Sequence, residues 1–99
     1  MTKIKRYVIL IDDELEDAKM YAEKALEYKA KMDQQNYSIF KKMSEDELDH
    51  AMHLHTIATK EIEELSRVYK PTAEMQQKWD EAHVEYVEKT AWIKQMLAM

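Results

Sequence analysis

The sequence contains no cysteine and no glycine, and its single proline is Pro71. Without cysteine there can be no disulfides, thiolate zinc sites or cysteine nucleophiles. The lack of glycine effectively excludes Walker-type and Rossmann-type nucleotide sites, because their phosphate-binding loops need glycine for close backbone approach. With so few residues that break helices, long helices are the expected structure.

Charge and hydropathy narrow the class of protein further. The formal net charge is −5, which argues against nucleic acid as the main partner, because phosphate binding needs a basic surface. The longest apolar run covers residues 7–11. It is far shorter than the roughly 20 residues that a spanning helix requires, and no signal-peptide cleavage site follows it. We therefore expect a cytoplasmic protein that binds neither nucleic acid, nucleotide nor membrane.

Apolar residues recur every three or four positions in three segments, which is typical of amphipathic helices. We expect helix 1 over residues 2–29, helix 2 ending just before Pro71, and helix 3 starting at Pro71 or Thr72. This pattern predicts a single all-α domain over residues 1–99, with a helical hairpin at 2–70 and a third long helix at 71–98. The predicted core residues of the hairpin are Ile4, Tyr7, Val8, Ile11, Leu15, Ala18, Ala22, Ala25 and Leu26 on helix 1 and Phe40, Met43, Ala51, Leu54, Ile57, Ala58, Ile62, Leu65, Val68 and Tyr69 on helix 2.

Helix 3 carries the stripe Met75, Trp79, Ala82, Tyr86, Val87, Ile93 and Leu97. Two helices also have a weaker apolar edge outside their main stripe. Because a three-helix bundle has one interior, a second edge indicates contact with another chain, and we expect a homodimer or larger homo-oligomer. These edge residues are Leu48 and Met52 on helix 2 and Trp92, Met96 and Met99 on helix 3.

Three polar residues interrupt the apolar stripes of the hairpin. Glu14 falls within the stripe of helix 1, and Glu47 and His50 fall within that of helix 2, three residues apart on one face. We expect all three to face the interior, where an ionised carboxylate needs a cation or a hydrogen-bond network. Carboxylates with an imidazole suit iron, manganese or zinc, and Glu-x-x-His occurs in bundle-type di-iron sites.

The segment Glu14-Leu-Glu-Asp-Ala-Lys-Met-Tyr21 resembles the first metal-binding helix of rubrerythrins and other ferritin-like proteins. Glu47-Leu-Asp-His50-Ala51 resembles their second helix, and the 33 residues between the two glutamates are similar to the rubrerythrin spacing. This resemblance covers residues 10–58 and implies a ferritin-like hairpin with an iron site at Glu14, Glu47 and His50. For an enzyme it implies di-iron oxidoreductase or ferroxidase chemistry, that is, iron oxidation or the handling of oxygen or peroxide. A fainter resemblance links the chain to small proteins of tailed phages.

The position of the hairpin turn tests whether the two glutamates can meet. Facing residues of an antiparallel hairpin lie equally far from its turn, so Glu14 and Glu47 require a turn over residues 30–32, with Asp33 as the N-cap of helix 2. A turn at residues 34–36 would offset the carboxylates by roughly 12 Å, at 1.5 Å of rise per residue. We favour the earlier turn, because the aromatic stripe of helix 2 already begins at Tyr37.

One hairpin supplies only half of a di-iron ligand set, because helix 3 does not repeat the long Glu…Glu-x-x-His pattern. Two hairpins related by a twofold axis would supply four glutamates and two histidines, which is the set that bundle proteins use. The competing arrangement closes the site within one chain. In that case Asp80 and His83 of helix 3, which share the three-residue spacing, would join Glu14, Glu47 and His50.

Alternative interpretations need no metal. Glu47 could form a capping box with Ser44 at the start of a helix, or His50 could belong to a metal-free polar network. Tyr21 could pack in the core or lie beside the metal, and we expect His53 and His55 at a surface or interface. The alternative function is then a structural or interaction module without metal that forms a helical oligomer. The fainter resemblance suggests a phage origin for such a module. A helical partner of a basic protein is a third, weaker hypothesis based on acidic charge.

Overall fold

The computed structural model describes residues 2–99 and consists of three α-helices. They are α1 (Thr2–Ala30), α2 (Gln34–Val68) and α3 (Ala73–Ala98). The all-α prediction is confirmed, and the helix ends lie within a few residues of those expected. The bundle is a rod of 55 × 18 × 17 Å, and none of its described helices has a stretch apolar enough to cross a lipid bilayer.

The turn between α1 and α2 lies where the antiparallel register requires it. Asp33 is the N-cap of α2, and its side chain accepts a hydrogen bond from the backbone N–H of Asn36. Met32 adopts a left-handed conformation with φ of 60°, and the Met32 and Asp33 amides donate to the carbonyls of Lys29 and Tyr28. This pattern is a Schellman C-cap, in which a left-handed residue lets the last carbonyls of the helix find donors. The predicted turn over residues 30–32 is therefore confirmed.

Cross-helix contacts define the direction of each helix. Tyr7 of α1 bonds Glu61 near the end of α2, whereas Tyr28 of α1 stacks on Phe40 near the start of α2, so α1 and α2 are antiparallel. Lys89 of α3 pairs with Glu16 near the middle of α1. Lys29 near the end of α1 reaches the terminal carbonyl of the chain, so α3 runs parallel to α1. The backbone of α3 lies closer to α1 than to α2.

Small residues line the contact between α1 and α2. Ala18, Ala22 and Ser44 are fully buried, and the Ser44 hydroxyl donates a 2.7 Å hydrogen bond to the Ala18 carbonyl across the hairpin. Since α2 is continuous from Gln34, Ser44 is not a helix cap, and the capping-box interpretation is wrong. Small side chains let the two backbones approach closely, which brings residues at the edges of this contact within reach of each other.

The buried side of α2 matches the sequence pattern only in part. Ala51 and Ala58 are buried as predicted, but the predicted core residues Met43, Ile57, Val68 and Tyr69 are exposed, and Ser44, which the pattern did not place in the core, is fully buried. Leu48, expected at a second edge, is also a core residue, as is Met96 of α3. The buried core comprises Ile11, Leu15, Ala18, Ala22, Ala25, Ser44, Leu48, Ala51, Ala58, Ile93, Met96 and Leu97.

Candidate metal centre on the hairpin

Glu14 lies at the edge of α1 that borders α2. Its neighbours Ile11 and Leu15 are buried, whereas Glu14 is only partly buried. It therefore lies at the boundary between the buried and the exposed sides of α1. The position follows from helical geometry, because Glu14 is about 40° around the helix from Ala18, whose carbonyl accepts from Ser44. The carboxylate of Glu14 is therefore directed along the groove between the two helices.

Glu47 and His50 reach the same place from α2. His50 Nδ1 is 3.5 Å from Glu14 Oε2 and 3.7 Å from Glu47 Oε2. One donor atom from each of the three side chains lies within 4.8 Å of the other two. Two helices thus bring together three residues that are 33 and 3 positions apart in the sequence, as the antiparallel register predicted.

The expectation that these residues face the interior is wrong for His50. The side chain of His50 is 56% exposed, and that of Glu47 is 20% exposed, because the interior positions of α2 belong to Leu48 and Ala51. The cluster lies on the rim of the hairpin contact, beside a buried layer but open to solvent on one side. Such a position leaves coordination positions free for water or for groups from another molecule.

The two carboxyl groups influence each other strongly. A hydrogen bond with Glu14, partial burial and the negative charge of Glu14 raise the pKa of Glu47 to about 7, and His50 opposes this shift. Two carboxylates this close cannot both ionise easily unless a cation balances them. Among residues 2–99, the recorded ion-pair partner of both carboxylates is His50, and no lysine or arginine pairs with either.

This donor set fits a hard or borderline metal ion. Two carboxylates and one imidazole are ligands for iron, manganese or zinc, and a bound divalent cation would remove the carboxylate repulsion that holds a proton on Glu47. The three residues leave a bound ion short of a full coordination shell, since iron and manganese take more ligands than three. In the described chain this is the one group of three or more such side chains whose donor atoms converge.

Apolar side chains surround the cluster on the surface that α3 does not cover. Helix α3 lies beside Leu15 and Glu16 of α1 and beside Leu48 and Asp49 of α2, on the other side of the hairpin. We call the uncovered surface the open face; its residues are Leu10, Glu14, Met43, Glu47, His50 and Ile57. Its three apolar members are 36–47% exposed and share one side of the hairpin by helical spacing.

The residues of the competing intrachain site lie elsewhere. His83 Nδ1 is 2.9 Å from His55 Nε2, and Asp80 accepts a hydrogen bond from Gln76 of its own helix. Neither residue belongs to the group of converging donors around Glu14. Among residues 2–99, helix α3 therefore does not bring Asp80 and His83 to the cluster of Glu14, Glu47 and His50.

The sequence pattern did not predict the contact of His55 with α3. Its ring stacks on Tyr86 at 4.3 Å between centroids with an angle of 8°, and on Trp79 at 5.7 Å. We call His55, Trp79, His83 and Tyr86 the α2–α3 seam. The sequence of α3 contains a signal for this contact, because Trp79, His83 and Tyr86 occupy positions i, i+4 and i+7 of one helical face.

Tyr21 lies closer to the hairpin turn than Glu14 does, with its ring 6.2 Å from that of Phe40.

Comparison of the chain with protein-family models, with curated proteins and with solved structures found no match. Any assignment of function therefore depends on the chemistry of the chain's own residues.

Proposed function

We propose that the chain is a ferritin-like metal-binding protein that binds iron, or alternatively manganese or zinc, through Glu14, Glu47 and His50. The observation that supports this proposal is the convergence of the three donor atoms within 4.8 Å. It is strengthened by the absence of a lysine or arginine partner among the described ion pairs of these carboxylates. Two adjacent carboxylates repel each other when both are ionised, so a bound cation would stabilise the pair.

A second copy of the chain would complete the site. The hairpin contributes two carboxylates and one imidazole, and a di-iron centre in a helical bundle uses four carboxylates and two histidines. Two open faces packed about a twofold axis would provide that set. The same packing would bury the exposed side chains of Leu10, Met43 and Ile57, which supplies an apolar driving force for association.

In this proposal the protein's residues hold and charge-balance the metal, and iron supplies redox chemistry when bound. His50, being exposed, can turn its ring toward an ion in the groove without disturbing the core. Oxidation of ferrous iron, or the handling of oxygen or peroxide, is the activity to assay. The assay should follow ferrous iron loss under air with protein in excess over adventitious metal.

The test is metal content measured together with native mass, on protein purified without a histidine tag. We expect about one metal ion per chain and an even number of chains in the loaded species. Glu47→Ala should abolish iron binding while the protein remains helical, whereas Glu45→Ala, an exposed neighbour on α2, should bind iron normally. Equal iron content in the two variants would refute the site, and an iron-loaded monomer would refute its completion by a second copy.

A structural or interaction module is the second candidate, and one observation favours it. The raised pKa of Glu47 allows Glu14, Glu47 and His50 to satisfy one another around a shared proton with no metal present. The hairpin would then serve only as the scaffold of a helical oligomer. This candidate predicts association without metal, so an oligomer that is unchanged by chelator and by Glu47→Ala would favour it.

A further inference from the structure

A second cluster of metal-ligating side chains lies on the α2–α3 seam. His55 Nε2 and His83 Nδ1 are 2.9 Å apart, with ring centroids at 5.0 Å. The two histidines belong to different helices and are 28 residues apart in the sequence. Five residues along a helix correspond to about 140° of rotation, so His55 points away from His50 and from the open face.

Aromatic contacts hold His55 in place. Its ring lies flat against Tyr86 and is nearly parallel to Trp79, which fixes the direction of Nε2 toward α3. Burial, and then the neighbouring His83, lower the pKa of His55, which keeps its imidazole neutral at physiological pH. A neutral imidazole in a fixed orientation is the form of histidine that binds metal ions, once its ring nitrogen gives up the hydrogen bond to His83.

The surroundings admit an ion and water. The histidine pair borders a solvent-open groove of about 600 Å³, which is also lined by the carboxylate residues Asp80 and Glu63. Asp80 is three residues before His83 on α3, and its carboxylate accepts a hydrogen bond from the exposed amide of Gln76. It can therefore exchange that partner for an ion at low cost.

We propose that His55 and His83 form a separate binding site for a late divalent transition ion such as Cu²⁺, with Asp80 as a third ligand. For metal–nitrogen bonds of about 2.0–2.1 Å, nitrogens 2.9 Å apart subtend an angle of about 90° at the ion. That angle is the one between adjacent ligands of a square-planar Cu²⁺ or Ni²⁺ site. A tetrahedral Zn²⁺ ion would need the nitrogens roughly 3.4 Å apart.

Binding of the ion changes the tautomer of the ring that donated the hydrogen bond. For the other ring, the ion replaces the N–H group as the partner of its ring nitrogen. In the metal-free pair one ring donates its N–H to the ring nitrogen of the other. In the bound pair His55 Nε2 and His83 Nδ1 both face the ion, and each ring keeps one proton on its remaining nitrogen. No net proton is released by the imidazoles. The ion then links α2 to α3, two helices whose backbones otherwise approach each other little.

The test is Cu²⁺ titration of tag-free protein, read by electron paramagnetic resonance and by thermal unfolding. The background is Glu47→Ala, so that binding at the open face does not contribute. We expect a stoichiometric Cu²⁺ signal with splitting from two nitrogens and a rise in Tm, because the ion binds the folded seam. Adding His83→Gln should weaken Cu²⁺ binding at least tenfold and remove the rise in Tm.

The matched control is His53→Gln, which removes an exposed histidine of the same helix two positions away. It should leave the copper affinity, the nitrogen splitting and the rise in Tm unchanged. The proposal is overturned if His83→Gln binds Cu²⁺ as the background protein does, or if the signal shows one nitrogen. Loss of binding in Glu47→Ala alone would likewise overturn it, since the ion would then occupy the open face.

Discussion

Helix α2 carries histidines on two surfaces that differ in almost every physical respect. The open face carries Glu47 and His50 among exposed apolar side chains, and α3 lies on the other side of the hairpin. The α2–α3 seam carries His55, which is stacked on aromatic rings of α3. The open face holds two carboxyl groups in close contact at the solvent, whereas the seam is packed between two helices. The difference teaches that burial of a histidine depends on which neighbour reaches it, and not on its place in an apolar stripe.

The largest expected effect on stability concerns the close contact between α1 and α2 at Ser44 and Ala18, which brings Glu14 and Glu47 near each other. Ser44→Leu puts a large side chain where Ser44 is fully buried against Ala18, and we expect a loss of about 3 kcal/mol in the free energy of unfolding. Met43→Leu, one position away on the exposed side, should change it by less than about 0.5 kcal/mol. Urea unfolding followed by circular dichroism measures both. Similar losses in the two variants would mean that the buried stripe is assigned to the wrong residues.

The next effect tests the difference between the histidines directly. His55→Ala removes two stacking contacts and leaves a gap beside Tyr86, so we expect a loss of about 2 kcal/mol. His53→Ala, at an exposed position of the same helix, should stay within about 0.5 kcal/mol of the wild type. Both are measured by urea unfolding of metal-free protein. If the two losses agree, the α2–α3 seam does not stabilise the fold.

Most of the fold could be predicted from the sequence, and the reason is the regularity of its pattern. Helices without glycine, stopped by Pro71, follow from local propensity. The register follows from the early turn, which the start of the aromatic stripe of helix 2 at Tyr37 indicates. The three ligand candidates were therefore found together. The prediction is wrong for Met43 and Ile57 of α2, because at the close contact with α1 the buried positions take small side chains rather than large apolar ones.

The small residues carried the better signal. On α1 the alanines at 18, 22 and 25 already indicate a close helix contact, and a facing helix must then present small residues such as Ser44 and Ala51. Local periodicity could not reveal the His55–His83 contact, because it depends on how α3 docks onto the finished hairpin. Pairings between distant helices are set by packing of the whole bundle rather than by any one segment.

A third effect asks whether the open face is an interface. Ile57→Lys places a charge among apolar residues near Glu47 and His50, and it should weaken both dimer formation and metal retention at least tenfold, which is about 1.4 kcal/mol. Val84→Lys makes the same change at an exposed apolar position of α3 and should affect neither. Analytical ultracentrifugation with metal analysis reads both quantities. Metal retention by a monomeric Ile57→Lys protein would separate metal binding from association.

The smallest expected effect is also the sharpest contrast, because the two surfaces should respond to pH with opposite sign. The folded-state pKa of Glu47 is raised from 4.5 to about 7, so the folded protein binds more protons in this window than the unfolded chain does. Its contribution to stability is complete below pH 4.5 and is lost as the pH rises through 7. The pKa of His55 is lowered from 6.5, so its contribution is complete above pH 6.5 and is lost on acidification.

Variants that remove one group at a time should isolate these slopes in metal-free protein. Relative to the wild type, Glu47→Gln should gain free energy of unfolding between pH 5 and 8, since it no longer loses a bound proton. The full pKa shift corresponds to roughly 2.5 kcal/mol over this range, and solvent screening at the rim of the hairpin reduces the expected gain to about 1 kcal/mol. His55→Phe should change in the opposite direction over the same range, because only the wild type regains a neutral histidine there. Urea midpoints at four pH values measure both differences, with His53→Gln, which removes an exposed histidine of the same helix, as the control variant. Slopes of the same sign would show that the acidic cluster and the seam are not electrostatically distinct, because a raised pKa and a lowered pKa change stability with pH in opposite directions.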